Sequence, residues 1–137
     1  MGDRFDASAR SRIMSAIRSK NTQPELFVRS SLHRAGLRFR VHVRELPGAP
    51  DIVLPRHRVV VEVRGCFWHS HPRCTNARIP RTRTRYWRKK LRATVARDLA
   101  NIKALRSLGW RIFILWECKL TPARLRRTVQ EIRAQRN

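Results

Sequence analysis

Asp51-Ile52-Val53-Leu54, followed after a short break by Val59-Val60-Val61-Glu62-Val63-Arg64-Gly65-Cys66-Phe67-Trp68-His69-Ser70-His71-Pro72-Arg73-Cys74, is the stretch on which the fold turns. Two apolar runs, IVL and VVV, flank Pro55-Arg56-His57-Arg58, which reads as a buried hairpin with a turn between its strands. If Leu54 pairs with Val59, then Val53 meets Val60, Ile52 meets Val61, and Asp51 meets Glu62 across the ladder. Opposed like charges destabilise a sheet unless something compensates them. A divalent cation is the obvious compensation. Arg64 lies two residues past Glu62 and so points to the same face. A plain surface salt-bridge cluster is the alternative, and the apolar flanks argue against it.

The hairpin runs directly into Cys66, His69, His71 and Cys74, with Cys118 far along the chain. Three cysteines is an odd count for a disulfide framework, and grouped with histidines they read as metal ligands. Cys66-x4-His71-x2-Cys74 with Cys118 is a Cys₃His set that suits tetrahedral, structural zinc. His69 is then left free beside the carboxylates, where an imidazole can serve as general base. The reverse assignment, with His69 as ligand and His71 free, stays open on spacing alone. Phe67 and Trp68 are either ordinary core residues or, beside a metal site in a basic protein, a wedge that enters between base pairs. Trp87 is placed to join them.

The composition favours a polyanionic partner. The chain has 137 residues, 42% of them hydrophobic, which fits one globular domain. Its net charge is +23, and 27 of its 32 basic residues are Arg. Arg suits bidentate phosphate and base-edge contacts, so nucleic acid is the first candidate and an anionic membrane surface the second. No apolar run approaches the roughly 18 residues a span needs, and no signal peptide is visible. The expectation is a cytoplasmic protein, nucleoid-associated through DNA, with no membrane contact.

Outward from the hairpin, Asp6 opens a helix to about Ser19 with a narrow stripe of Ile13, Met14 and Ile17. The rest of that helix is basic, as for an arm lying on DNA. Thr22-Gln23-Pro24-Glu25 is a capping-box signature opening a helix to Ala35, with Gly36 ending it. Glu25 has two readings, as a cap on Thr22 or as an acid near the hairpin carboxylates, and the cap is favoured on sequence alone. Arg38 to Glu45 alternates, with Phe39, Val41 and Val43 inward and Arg38, Arg40, His42 and Arg44 on a basic outer face. A loop from Thr75 to Arg83 leads to a long helix, about Thr84 to Leu108, with Leu91, Val95, Ile102 and Leu105 as its core stripe. Asp98 falls in that stripe and needs a buried partner, an Arg or a catalytic His. Arg111–Trp116 reads as a central strand returned to the same sheet by a right-handed crossover. Thr121-Pro122 opens a last helix through Leu125, Val129 and Ile132.

APDIVL, VRGCFWHSHPRC, TRTRYW, ARD and LGWRIFILWEC together resemble the very short patch repair endonucleases, from SRIMSAIRSKNT onward and over nearly the whole chain. The resemblance implies an α/β, restriction-endonuclease-like mixed sheet flanked by helices, with a bound structural zinc. It implies magnesium-dependent nicking beside the thymine of a T:G mismatch left by deamination of 5-methylcytosine. By motif position, Asp51 is the magnesium ligand and Val63 offers its carbonyl. His69 is the base-like histidine, and Asp98 and Glu25 are supporting acids. Cys66, His71, Cys74 and Cys118 bind zinc, while Met14, Phe67, Trp68 and Trp87 insert at the mismatch. The chain departs from the family where Glu62 replaces an aromatic and Arg64 replaces a His, and its Cys66–Cys74 loop is one residue longer. Asp51…Glu62-Val63-Arg64 instead looks like the wider PD-(D/E)xK motif, with Glu62 as a further magnesium ligand and Arg64 in the Lys position.

The reading is therefore a basic DNA-binding arm over residues 1–20 and a single nuclease domain over 21–137. The substrate expected is mismatched double-stranded DNA, the state a monomer, and further partners other DNA repair proteins. The competing readings are a related nuclease with another DNA substrate and a catalytically silent, zinc-containing DNA-binding protein.

Overall fold

The computed structural model describes residues 21–134. The expected helix from Asp6 to Ser19, with Met14, lies outside them. The order of elements is α1 (Gln23–Arg34), β1 (Arg40–Val41), β2 (Ile52–Leu54), β3 (Val59–Arg64), α2 (Thr84–Ser107), β4 (Arg111–Trp116) and α3 (Pro122–Ala134). β1, β2 and β3 run antiparallel, and β4 is parallel to β3. This is the mixed α/β sheet expected. Among the described residues no helix is long and apolar enough to cross a membrane.

The hairpin register is the expected one, with Ile52 on Val61, Val53 on Val60 and Leu54 on Val59. Arg58 closes the turn in the left-handed region, at φ 57°. Strand alternation then divides the core into two. Ile52, Leu54, Val59 and Val61 face Val28 and Leu32 of α1 and Leu125, Val129 and Ile132 of α3. Val53 and Val60 face Leu105 of α2. Continued past those residues, the alternation carries Asp51, Glu62 and Arg64 onto the α2 side of the sheet.

Two elements differ from expectation. The strand over Arg38–Glu45 shrinks to Arg40–Val41, and Val41 is exposed rather than inward. The cause is His42, whose φ of 50° breaks the alternation; the chain then bends so that Val43 is buried against Val53 and Val60. β4 is not central but lies at the end of the order β1-β2-β3-β4 among the described residues. Its apolar run arises because helices cover both faces: Leu115 and Phe113 pack with α1 and α3, and Ile112 packs beside Leu105.

The helix ends follow their sequence signals. Thr22 Oγ1 accepts the Glu25 N–H at 3.4 Å, and Gly36, at φ 87°, lets Leu37 N–H return to the Leu32 carbonyl. Gly48 sets the loop before Asp51. It takes φ 78°, and a Cβ there would lie 2.7 Å from Asn101 Nδ2, so this loop sits directly against α2.

Candidate active site and metal-binding clusters

One cleft, of about 1070 Å³, is lined by Glu25, Asp51, Glu62, Val63, Arg64, Phe67, Trp68, His69 and Asp98, among others. The end of the hairpin, the N-terminal turn of α1, the post-hairpin loop and the middle of α2 meet there. The sequence separates these residues by up to 73 positions, and the sheet and its two helix layers bring them together.

Asp51 is the electrostatic centre. Burial, then the nearby Glu25, pushes its carboxyl up to about 6, with Glu62 adding to the rise; the Val63 N–H, 3.4 Å from Asp51 Oδ2, and His69 act the other way. The charges around it are spoken for. Glu62 Oε1 accepts from Arg64 Nε at 3.1 Å and from Nη2 at 2.8 Å. Glu25, only 4% exposed, is paired with Arg29 and lies 3.1 Å from His42 Nε2. The capping box is thus half realised, because the Glu25 side chain turns to Arg29 and His42. The atoms near enough to share a metal ion are those of Glu25, His42 and Asp51, all within 4.8 Å of one another. Glu62 is not in that set, since its carboxylate is turned to Arg64.

His69 and Asp98 are joined directly, Nδ1 to Oδ2, at 2.7 Å. Asp98 therefore has the His partner rather than an Arg. Its carboxylate accepts a proton held on Nδ1, and in the neutral imidazole that tautomer has its lone pair on Nε2. The loop fixes His69 through its N–H to the Gly65 carbonyl at 3.2 Å. Left-handed residues Ser70 and Arg73, at φ 51° and 54°, then fold the loop into a tight knuckle.

That knuckle gathers the second cluster. Cys66, His71, Cys74 and Cys118 place their ligand atoms within 4.8 Å of one another, a set able to hold a metal ion. Cys118 Sγ lies 3.4 Å from His71 Nδ1 and 3.9 Å from Cys74 Sγ. His71 stacks on Trp116 at 4.0 Å between ring centroids, which ties the loop to the end of β4. Burial pushes the Cys66 thiol up to about 12, so a bound cation is what would make it a thiolate ligand.

Phe67, Trp68 and Trp87 form a mutual edge-on cluster with centroids 5.1–5.9 Å apart. Trp68 and Trp87 are buried with Leu91, while Phe67 is only half-buried at the cleft wall. Two site residues escaped the sequence reading. Arg29 had a signal, its i,i+4 spacing from Glu25. His42 had none, because alternation placed it on the outer face.

Known proteins resemble this chain over most of its length. Residues 2–76 match the family described as DNA mismatch endonuclease Vsr. The chain is 47% identical over 121 residues to the type II nicking enzyme V.XorIIP of Xanthomonas oryzae pv. oryzae, covering 88% of each chain. It is 38% identical over 138 residues to the type II nicking enzyme V.NmeAIP of Neisseria meningitidis serogroup A, covering 97% of this chain and 98% of the relative. To the DNA mismatch endonuclease Vsr of Escherichia coli K12 it is 43% identical over 120 residues, covering 88% of this chain and 76% of the relative. With matches of this extent, and with the fold and cleft described, the chain belongs to the DNA mismatch endonuclease Vsr family.

Proposed function

We propose that this protein is a magnesium-dependent endonuclease that nicks double-stranded DNA at T:G mismatches, on a restriction-endonuclease-like fold braced by zinc. The observation that carries the reading is the His69–Asp98 pair, at 2.7 Å, lining the same cleft as the crowded carboxylate Asp51 in a chain of this family.

Asp51 and the Val63 carbonyl are the assigned magnesium ligands, with Glu62 a further carboxylate at the edge of the site. The donors fit a hard divalent ion, since Asp51 is pushed up to about 6 by burial and by neighbouring carboxylates. When bound, the ion supplies charge neutralisation at phosphate and a more acidic water. The chain does the rest. His69 Nε2 takes a proton from the water as its oxygen bonds to phosphorus, and the leaving oxygen departs as the bond breaks, taking a proton from solvent to become the alcohol. Asp98 holds the ring and stabilises the imidazolium that results. Arg64, held by Glu62, faces the charge that grows on the phosphate. Glu25 supports Asp51 across the cleft.

Zinc is assigned to Cys66, His71, Cys74 and Cys118. A tetrahedral site with Zn–S of about 2.3 Å and Zn–N of about 2.0 Å places S and N about 3.5 Å apart and two sulfurs about 3.8 Å apart. The separations of 3.4 Å between Cys118 and His71 and 3.9 Å between Cys118 and Cys74 are close to those values. Mismatch reading is assigned to Phe67, Trp68, Trp87 and Met14, because a mispaired step is cheaper to open. Residues 1–20 supply a basic arm through Arg4, Arg10, Arg12, Arg18 and Lys20, and residues 21–137 the nuclease domain.

The test is a labelled duplex with one T:G pair, incubated with the zinc-loaded protein with and without Mg²⁺, beside Asp51→Ala. A single-strand nick that needs both Mg²⁺ and Asp51 is expected. Binding without any Mg²⁺-dependent cleavage would establish a silent DNA-binding protein instead.

A further inference from the structure

His42 has no part in the assignments above, yet the chain goes out of its way to place it. It is a non-glycine residue at φ 50°, a backbone region that costs an L-residue roughly 1–2 kcal/mol. That conformation ends β1 where His42 stands opposite Asp51, to whose carbonyl it donates its N–H at 3.0 Å. There its Nε2 lies 3.1 Å from Glu25 Oε2 and 2.9 Å from Arg29 Nη2. An imidazole nitrogen and a carboxylate oxygen thus both lie against the Arg29 guanidinium, so a cationic group already bridges them.

The spacing matches a metal. Six-coordinate ions with bonds of about 2.1 Å hold neighbouring ligand atoms about 3 Å apart and opposite ones about 4.2 Å apart. Glu25, His42 and Asp51 present theirs within 4.8 Å of one another, close to that range. We propose that His42 is a third ligand beside Asp51 and Glu25, making this a mixed imidazole–carboxylate site that binds Mn²⁺ more tightly than Mg²⁺. Mg²⁺ demands oxygen donors and keeps its waters, whereas one nitrogen in an oxygen set favours a transition-metal ion. Of that series Mn²⁺ is the ion best suited to carboxylate and water ligands. The inference rests on Asp51 as anchor of the cation.

The experiment uses the zinc-loaded full-length protein, so that the cysteine cluster is filled. Mn²⁺ binding is followed by loss of the free-ion EPR signal, with Mg²⁺ as competitor, and the bound ion is probed for directly coupled ¹⁴N by spin-echo modulation. Wild type is expected to bind Mn²⁺ more tightly than Mg²⁺ and to show imidazole ¹⁴N. His42→Asn keeps a residue that tolerates the left-handed backbone; it should lose the ¹⁴N modulation and about 10-fold in Mn²⁺ affinity, and much less in Mg²⁺ affinity. His69→Asn should keep the modulation. Bound Mn²⁺ without ¹⁴N, modulation that survives His42→Asn, or no preference over Mg²⁺ would each overturn the proposal. Unchanged Mn²⁺ binding in Asp51→Asn would instead overturn the placement of the cation at Asp51.

Discussion

Replacing Asp51 by Asn should stabilise the zinc-loaded protein in the absence of magnesium while abolishing nicking. Burial and the neighbouring Glu25 and Glu62 raise the Asp51 carboxyl from an ordinary 3.8 to about 6. Below pH 4 the group is neutral in both folded and unfolded chains, and its contribution to stability is fully present. Between pH 4 and pH 6 the unfolded chain releases its proton while the folded one holds it, so that contribution is lost as pH rises. Above about pH 6 the penalty is constant. The difference between 3.8 and about 6 sets a ceiling of about 3 kcal/mol. Asp51 keeps part of its surface in water, which lowers the figure to about 1–2 kcal/mol. Asn retains an oxygen to accept the Val63 N–H, so the substitution removes charge and little else. Urea titrations of both proteins at pH 8 and pH 5 provide the measurement. Asp51→Asn should be the more stable by about 1–2 kcal/mol at pH 8, with the difference about halved at pH 5. Saturating Mg²⁺ should reverse the order, since only wild type gains from binding, by about 2.7 kcal/mol at 100 times Kd. A less stable Asp51→Asn at pH 8 without Mg²⁺ would refute the electrostatic reasoning.

Other outcomes follow from the same geometry. Asp98→Asn should lower kcat by about 10²–10⁴, the range of a general base, with KM for DNA little changed; a loss confined to KM would remove Asp98 from the proton path. Cys118→Ser should lower zinc content and melting temperature more than it lowers the activity of the folded fraction, and an unchanged melting temperature and zinc content would contradict the brace. Leu32 is fully buried between the sheet and two helices, so Leu32→Ala should cost about 2–5 kcal/mol in urea unfolding. A cost under about 1 kcal/mol would mean that the site collapses around the cavity.

Much of this site was legible because its parts are local. The length of the Pro55–Arg58 turn between two apolar runs fixed the hairpin register, and alternation then put Asp51, Glu62 and Arg64 on one side. The Cys66–Cys74 spacing pointed to a closed metal cluster, and Cys118 could be added because it follows a strand that ends beside that loop. Asp98 announced itself as an acid in an apolar stripe. On the residues alone its partner stayed open between an Arg and a catalytic His, and the resemblance pointed to His69, which lies 29 residues away and is joined to it by the packing of α2 on the sheet. Glu25 was ambiguous for a physical reason: the cap geometry and the site geometry start from the same helix position, and burial beside Arg29 and His42 decides between them. His42 was illegible because the sequence does not show which strand pairs with β2: only the pairing of β1 on β2 sets His42 opposite Asp51. The apolar run of β4 misled in another way, because two helix layers can bury both faces of an end strand.

The most direct test of the account is the rate of strand nicking on two duplexes that differ only in one base pair, T:G against C:G, at saturating Mg²⁺ with the zinc-loaded protein. The account predicts a single nick beside the mismatched thymine and little cleavage of the matched duplex. Equal rates on both duplexes would contradict it and would make the protein a nuclease of the same fold with a different choice of DNA.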